Sequence, residues 1–274
     1  MDGLRELQLT ELQILKDIFP FLEANRIPYF ALGGTMLGAV RHQGFIPWDD
    51  DIDIGVPRED YERLLLLRDQ LPAHLELTSY PEDPAYEKYF VRIVDRRIAL
   101  RSDRTVIAQT IPAWIDIFPL DGLPNRPFLR KLHEKRILFA RMVFNLSRFD
   151  EIVDTKRANR PAAEKLLVRC AEKFPLQKLV SWKAGYRMID RALKSCPYAS
   201  SNYNVNAMGA YRMREAFDKK VFGDGALYPF EDIQIRGPAD YEAYLTQLYG
   251  DWRTPADVGH HSIVEIIRTD QENG

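Results

Sequence analysis

Four carboxylates fall within five residues in the run Trp48-Asp49-Asp50-Asp51-Ile52-Asp53-Ile54-Gly55. Crowded acids repel one another unless cations or water screen them. The segment 51–56 alternates acidic or small with apolar residues, which predicts a strand. Ile52, Ile54 and Val56 then face a core, and Asp51 and Asp53 share the opposite face, roughly 7 Å apart at Cα. Such a pair can hold one or two hard cations, because Mg²⁺ takes one or two carboxylates together with water and substrate phosphate. The bland alternative is a solvated acidic turn.

What precedes the acids shifts that balance. Tyr29-Phe30-Ala31-Leu32-Gly33-Gly34-Thr35-Met36-Leu37 reads as a short strand, a glycine turn and a helix start. Two glycines allow a close backbone approach to a ligand. Thr35 is expected to cap the helix, and N–H groups at a helix start suit a phosphate. A phosphate-cradling turn followed by paired aspartates is an arrangement for phosphoryl transfer. Arg41 can fork onto a phosphate or pair with Asp49 or Asp50. His42 reads as a structural hydrogen-bonder, and Trp48 as packing against the strand or stacking on a cationic headgroup. Arg92, inside Phe90-Val91-Arg92-Ile93-Val94, either binds phosphate in a cleft or pairs with an acid. In Trp114-Ile115-Asp116-Ile117-Phe118 an aspartate interrupts an apolar strand. A buried carboxylate there is costly unless paired or metal-bound.

The stretch from Gly33-Gly34-Thr35 through Arg41-His42-Gln43-Gly44-Phe45-Ile46-Pro47-Trp48 to Asp53-Ile54 resembles the signature of the LicD family. That family includes bacterial phosphocholine transferases, with fukutin-type ribitol-phosphate transferases as relatives. Trp114-Ile115-Asp116-Ile117-Phe118-Pro119-Leu120-Asp121 and the Tyr-Gly-Asp-Trp run ending at Trp252 extend the likeness. The middle of the chain, about 126–194, matches only loosely. The resemblance implies a nucleotidyltransferase-like fold, with Asp116 as the third acid beside Asp51 and Asp53. It implies Mg²⁺ or Mn²⁺ on these three, and Gly33, Gly34 and Thr35 holding phosphate through backbone N–H groups. Asp116 could also take the proton of the acceptor hydroxyl, although metal-lowered hydroxyl acidity would contribute more. His261, in the pair His260-His261, resembles a late histidine of the family pattern and is a candidate for the donor phosphate. Asp49, Asp50 and His260 stay open as further members. The implied partners are a CDP-alcohol donor, CDP-choline first, and a sugar or polyol acceptor such as a teichoic acid or lipopolysaccharide precursor. The alternatives are a polyol-phosphate transferase using ribitol- or glycerol-phosphate, and a true nucleotidyltransferase.

Composition fits an enzyme of this kind. At 274 residues the chain can bury a sizeable core. Its net charge of −2 argues against a general nucleic-acid or anionic-membrane surface. No apolar run is long enough to span a bilayer, and the N-terminus lacks a signal-peptide pattern. A cytoplasmic location, or one peripheral to the membrane, is therefore expected. Cys170 and Cys196 are too few for a zinc site and read as core thiols.

The elements that must position these residues follow from periodicity. A helix is expected over 4–25, from apolar residues at Leu4, Leu7, Leu12, Leu15, Ile18 and Leu22. Further expectations are a strand over 29–32 and a helix from Pro57 to about 70. Strands follow over 75–79, 89–94, 98–101 and 113–118, the last stopped by Pro119. Helices are expected over 128–149, 162–173, 176–195 and 238–249, with short strands and loops over 217–235. The basic helices of 128–195 read as a solvated face, and Tyr241, Tyr244 and Tyr249 as core or rim packing. The fold class is α+β: a mixed sheet flanked by helices, with a helical subdomain. The division expected is a catalytic core over 1–125, the helical subdomain over 126–200, and a segment over 201–274 completing the core and cleft.

Overall fold

The computed structural model describes residues 3–79, 88–102, 109–147, 181–255 and 264–268. Helix α1 (Gly3–Ala24) carries the expected stripe, and Leu7, Leu12, Leu15, Ile18 and Leu22 are buried on it. It packs against the sheet that holds the acids. Strand β1 (Phe30–Ala31) leads into helix α2 (Gly33–His42), and β2 (Asp53–Pro57) leads into α3 (Arg58–Leu66). Then come β3 (Leu75–Thr78), β4 (Val91–Ser102), β5 (Gln109–Leu123) and α4 (Pro127–Ser147). Helix α5 (Trp182–Leu193) packs on α4. The remainder is β6 (Tyr203–Val205), β7 (Ala216–Asp218), α6 (Lys219–Phe222), the hairpin β8 (Ala226–Phe230) and β9 (Ile233–Gly237), α7 (Tyr241–Tyr249) and β10 (Val264–Arg268).

The architecture is mixed α+β. Eight described strands form one sheet whose central order is β1-β2-β5-β4-β10, with β3 on β4 and β6 linking β5 to β7. Only β2 and β5 run parallel among the described pairings. That pair sets Asp53 directly abreast of Asp116. Strand β2 starts at Asp53, so Asp51 and Ile52 precede it instead of sharing it as expected, although Ile52, Ile54 and Val56 are all fully buried.

Several expected boundaries change. Segments 89–94 and 98–101 belong largely to one long strand, β4, interrupted by a register shift between Asp95 and Ala99. There Asp95 accepts from the Arg97 backbone N–H at 2.9 Å, which holds the irregularity. Pro119 does not stop β5. The strand continues through Asp121 to Leu123, because β6 pairs with Asp121, Gly122 and Leu123 from its far end. Pro57 is the last residue of β2 rather than the first of α3. The strand β6, the turn 212–215 and β10 were not expected from periodicity. The helix expected over 162–173, the start of that expected over 176–195, and Cys170 lie outside the described residues.

A buried ion pair fastens the back of the sheet. Arg58 grips Asp121 with two hydrogen bonds, Nε to Oδ1 at 2.7 Å and Nη2 to Oδ2 at 3.0 Å. Tyr89 joins them, accepting from Arg58 at 3.3 Å and donating to Asp190 of α5 at 2.8 Å. The acid of Leu120-Asp121 is thus a structural anchor between α3, β5 and, through Tyr89, α5. A second apolar cluster, including Ile137, Phe144, Ile189 and Leu193, joins α4 to α5 behind it.

Candidate active site

A cleft of about 570 Å³ opens at the start of α2. Gly33, Gly34 and Arg41 of α2 line it, with Asp49 and Asp51 from the preceding loop, Asp53 of β2 and Asp116 of β5. The wall opposite comes from 206–215, from Tyr249 at the end of α7 and from 251–254. The structure therefore brings Asp51, Asp53, Asp116, Gly33, Gly34 and Arg41 to one place. Arg92 stands on the strand next to Asp116. His260 and His261 lie outside the described residues.

The glycine turn has a different wiring from that expected. Leu32, not Thr35, is the N-cap of α2, and no side chain caps it. Thr35 lies inside the first turn, where its hydroxyl accepts from the Asp53 backbone N–H at 2.8 Å. It therefore fixes β2 against α2 instead of closing the helix end. The Gly33 N–H is also engaged, donating to Tyr244 Oη at 2.9 Å. Gly33 has φ +49°, a backbone conformation that glycine adopts without strain. Gly34 matters for space: a Cβ there would overlap Asp49 Oδ2. The N–H groups of Gly34 and Thr35 are in the first turn, where the helix itself supplies no acceptor.

The acids are charge-frustrated. Burial and the fields of Asp51, Asp116, Asp49 and Glu215 hold the Asp53 carboxyl well above the usual carboxylate range. Burial pushes Asp49 up to about 6. Asp116 is raised by burial, which outweighs Arg92 and Lys88. Arg92 donates to Asp116 Oδ1 at 2.7 Å and stacks its guanidinium over Trp114 at 4.2 Å. Of its two readings, pairing with an acid is the one the structure adopts. Arg41 likewise binds neither Asp49 nor Asp50 in any described hydrogen bond. It donates to the Trp252 carbonyl at 2.8 Å, tying α2 to the opposite wall. Asp49, Asp50 and Asp51 can each place a carboxylate oxygen within 4.8 Å of the other two, a group able to hold a metal ion.

Two acids were missed. Glu215 is 6% exposed, lines the cleft and is pushed up to about 7 by burial. It accepts from the Tyr211 N–H at 2.9 Å and organises the wall. The Tyr211 and Tyr249 rings meet edge to face beside it, 5.3 Å apart. Nothing in the local sequence of Glu215 marks it, because the turn 212–215 reaches the site only through β6 and β7. Glu11 was legible. It stands four residues after Leu7 and four before Leu15, an acid within an apolar stripe, and it is fully buried. Neither of its oxygens has a hydrogen-bond partner among the described residues. Orphaned oxygens beside raised carboxyls fit a site completed by a hard cation.

Among the described residues no helix is long and apolar enough to cross a membrane. Comparison with known proteins adds to the geometry. Residues 26–103 match the family described as LicD/FKTN/FKRP, nucleotidyltransferase domain. The lipopolysaccharide cholinephosphotransferase LicD of Haemophilus influenzae is 29% identical over 254 residues, 91% of this chain and 91% of that protein. An uncharacterized protein of Rickettsia prowazekii is 54% identical over 52 residues, 19% of this chain and 20% of that protein. The human ribitol 5-phosphate transferase FKRP is 51% identical over 39 residues, 14% of this chain and 8% of that protein. The glycine-led helix and the Asp-rich segment both lie within residues 26–103, which match the LicD/FKTN/FKRP nucleotidyltransferase domain, and the chain is similar along most of its length to the Haemophilus influenzae protein.

Proposed function

We propose that the chain is a divalent-metal-dependent transferase that moves a substituted phosphate, phosphocholine foremost, from a CDP-alcohol onto a glycan hydroxyl. The observation that carries this is the alignment of Asp53 with Asp116 on parallel strands, facing the first turn of α2 across the same cleft. Asp51, Asp53 and Asp116 would hold Mg²⁺ or Mn²⁺, with Asp49 and Asp50 beside them. A bound ion neutralises the phosphate oxygens and so lowers the barrier to attack. The Gly34 and Thr35 N–H groups would bind a phosphate at the positive end of α2. Arg92 keeps Asp116 oriented, and Asp116 would face the acceptor hydroxyl.

The choice of phosphocholine is supported by the Haemophilus influenzae relative's name and by the far wall. Tyr211, Tyr249 and Glu215 line that wall, and they would offer aromatic rings and, with Glu215 ionised above about 7, negative charge to a quaternary ammonium. That relative's name also supports a lipopolysaccharide acceptor, and work in the cytoplasm or at its membrane surface would suit such an acceptor. The alternative, ribitol- or glycerol-phosphate, is favoured by the short likeness to the ribitol 5-phosphate transferase. Thermal-shift measurements with CDP-choline, CDP-ribitol, CDP-glycerol and nucleoside triphosphates, each with Mg²⁺, test the reading. A donor at a hundred times its Kd should stabilise by about 2.7 kcal/mol. Stabilisation by triphosphates alone would point to nucleotide transfer instead.

A further inference from the structure

We propose that Glu11 of α1 is a further carboxylate of the metal site, holding the ion directly or through one of its bound waters. This rests on the metal-dependent reading of the cleft and adds to it a residue from outside the aspartate motif. Helix α1 is docked onto the acidic loop by Gln8, whose Nε2 donates to the carbonyls of Ile46 at 3.3 Å and Asp49 at 2.9 Å. Glu11 follows one turn later on the same stripe and is fully buried. Among the described residues neither of its oxygens has a hydrogen-bond partner, and burial together with the charges of Asp51, Asp116, Asp49 and Asp53 holds its carboxyl well above the usual carboxylate range.

A carboxyl group in that position is costly in either protonation state. Ionised, it is repelled by every aspartate of the cleft. Neutral, it leaves a buried hydroxyl and carbonyl without hydrogen bonds. An apolar side chain would continue the stripe of Leu7, Leu12 and Leu15 with neither cost. A bound water could satisfy the hydrogen bonds but would leave the aspartates uncompensated. A hard divalent cation resolves both, since Mg²⁺ and Mn²⁺ take oxygen ligands and keep several waters. Carboxylates that reach an ion through such contacts typically change its affinity by about 10–100-fold. Metal binding would then also lock α1 against the acidic loop.

The test uses the full chain stripped with EDTA, with no donor present. Mn²⁺ is titrated into wild type, Glu11→Gln and Glu11→Met, and free Mn²⁺ is read by electron paramagnetic resonance. Thermal unfolding of the metal-free proteins is measured in parallel. The proposal expects both variants to bind Mn²⁺ at least about tenfold more weakly than wild type. It also expects their metal-free melting temperatures to equal or exceed that of wild type. Variants that bind Mn²⁺ with wild-type affinity would overturn it, leaving Glu11 an inert buried acid. So would variants that melt lower without metal, because the carboxyl would then serve the fold. A wild-type chain that takes up no Mn²⁺ is a separate result, and it would overturn the metal-dependent reading itself.

Discussion

Asp53→Asn should make the metal-free protein more stable while destroying its response to metal. The Asp53 carboxyl is held well above its ordinary value of 3.8 by burial and by four neighbouring acids. The folded chain thus binds this proton more tightly than the unfolded chain. The stabilisation that results is complete below the ordinary value and is lost as pH rises through the raised one. Holding the group neutral costs about 1.4 kcal/mol for each pH unit above 3.8. At about pH 7.5 the ceiling is roughly 5 kcal/mol, and neighbours that relax or hydrate reduce it. Asparagine keeps the shape and the backbone N–H that donates to Thr35, and it carries no such cost. Half the ceiling would raise Tm by roughly 5–10 °C. Urea or thermal unfolding in EDTA, at about pH 6 and about pH 7.5, gives the measurement. The gain should shrink by up to about 1.4 kcal/mol for each unit the pH is lowered. Mg²⁺ should stabilise wild type and not the variant. A variant less stable than wild type in EDTA at about pH 7.5 would refute the reasoning, since the charge would then be compensated within the protein.

Three further substitutions separate site from scaffold. Gly34→Ala suits the helix and can gain up to about 1 kcal/mol. Its methyl group displaces the Asp49 carboxylate, so calorimetry should show stability equal to or above wild type and Mn²⁺ affinity at least about tenfold lower. Asp121→Asn leaves the Arg58 guanidinium buried and poorly paired. It should cost about 3–5 kcal/mol in urea unfolding, with turnover per folded molecule retained. Glu215→Gln still accepts from the Tyr211 N–H and loses only the charge. CDP-choline affinity should drop about tenfold and CDP-glycerol affinity should hold, by calorimetry. Equal loss for both donors would make Glu215 an organiser of the wall alone.

The chemistry was most legible where it is local. Glycines and alternating aspartates within 33–56 prescribe a helix start and a strand; the helix starts at Gly33, while the strand begins only at Asp53, leaves Asp51 in the loop before it and is buried from Ile54 to Pro57. Asp116 announced itself as a charge amid β-branched residues. Other features depend on partners remote in sequence. Pro119 would end a strand standing alone, yet β2 and β6 carry β5 past it. Thr35 reads as a cap until the Asp53 N–H is known to lie beside its hydroxyl. Arg92 and Arg41 had equal claims on phosphate and on protein acceptors, and only tertiary geometry chooses between them. The Tyr211–Glu215 wall has no periodic signal, because a short turn and two three-residue strands place it.

Phosphorus NMR of CDP-choline, Mg²⁺, the protein and a sugar acceptor tests the central claim most directly. Both kinds of transferase use paired aspartates and metal, and they differ in which phosphorus the hydroxyl attacks. The account predicts CMP together with a new phosphodiester that carries choline phosphate on the sugar. Nucleotide attached to the sugar, with free phosphocholine released, would contradict it.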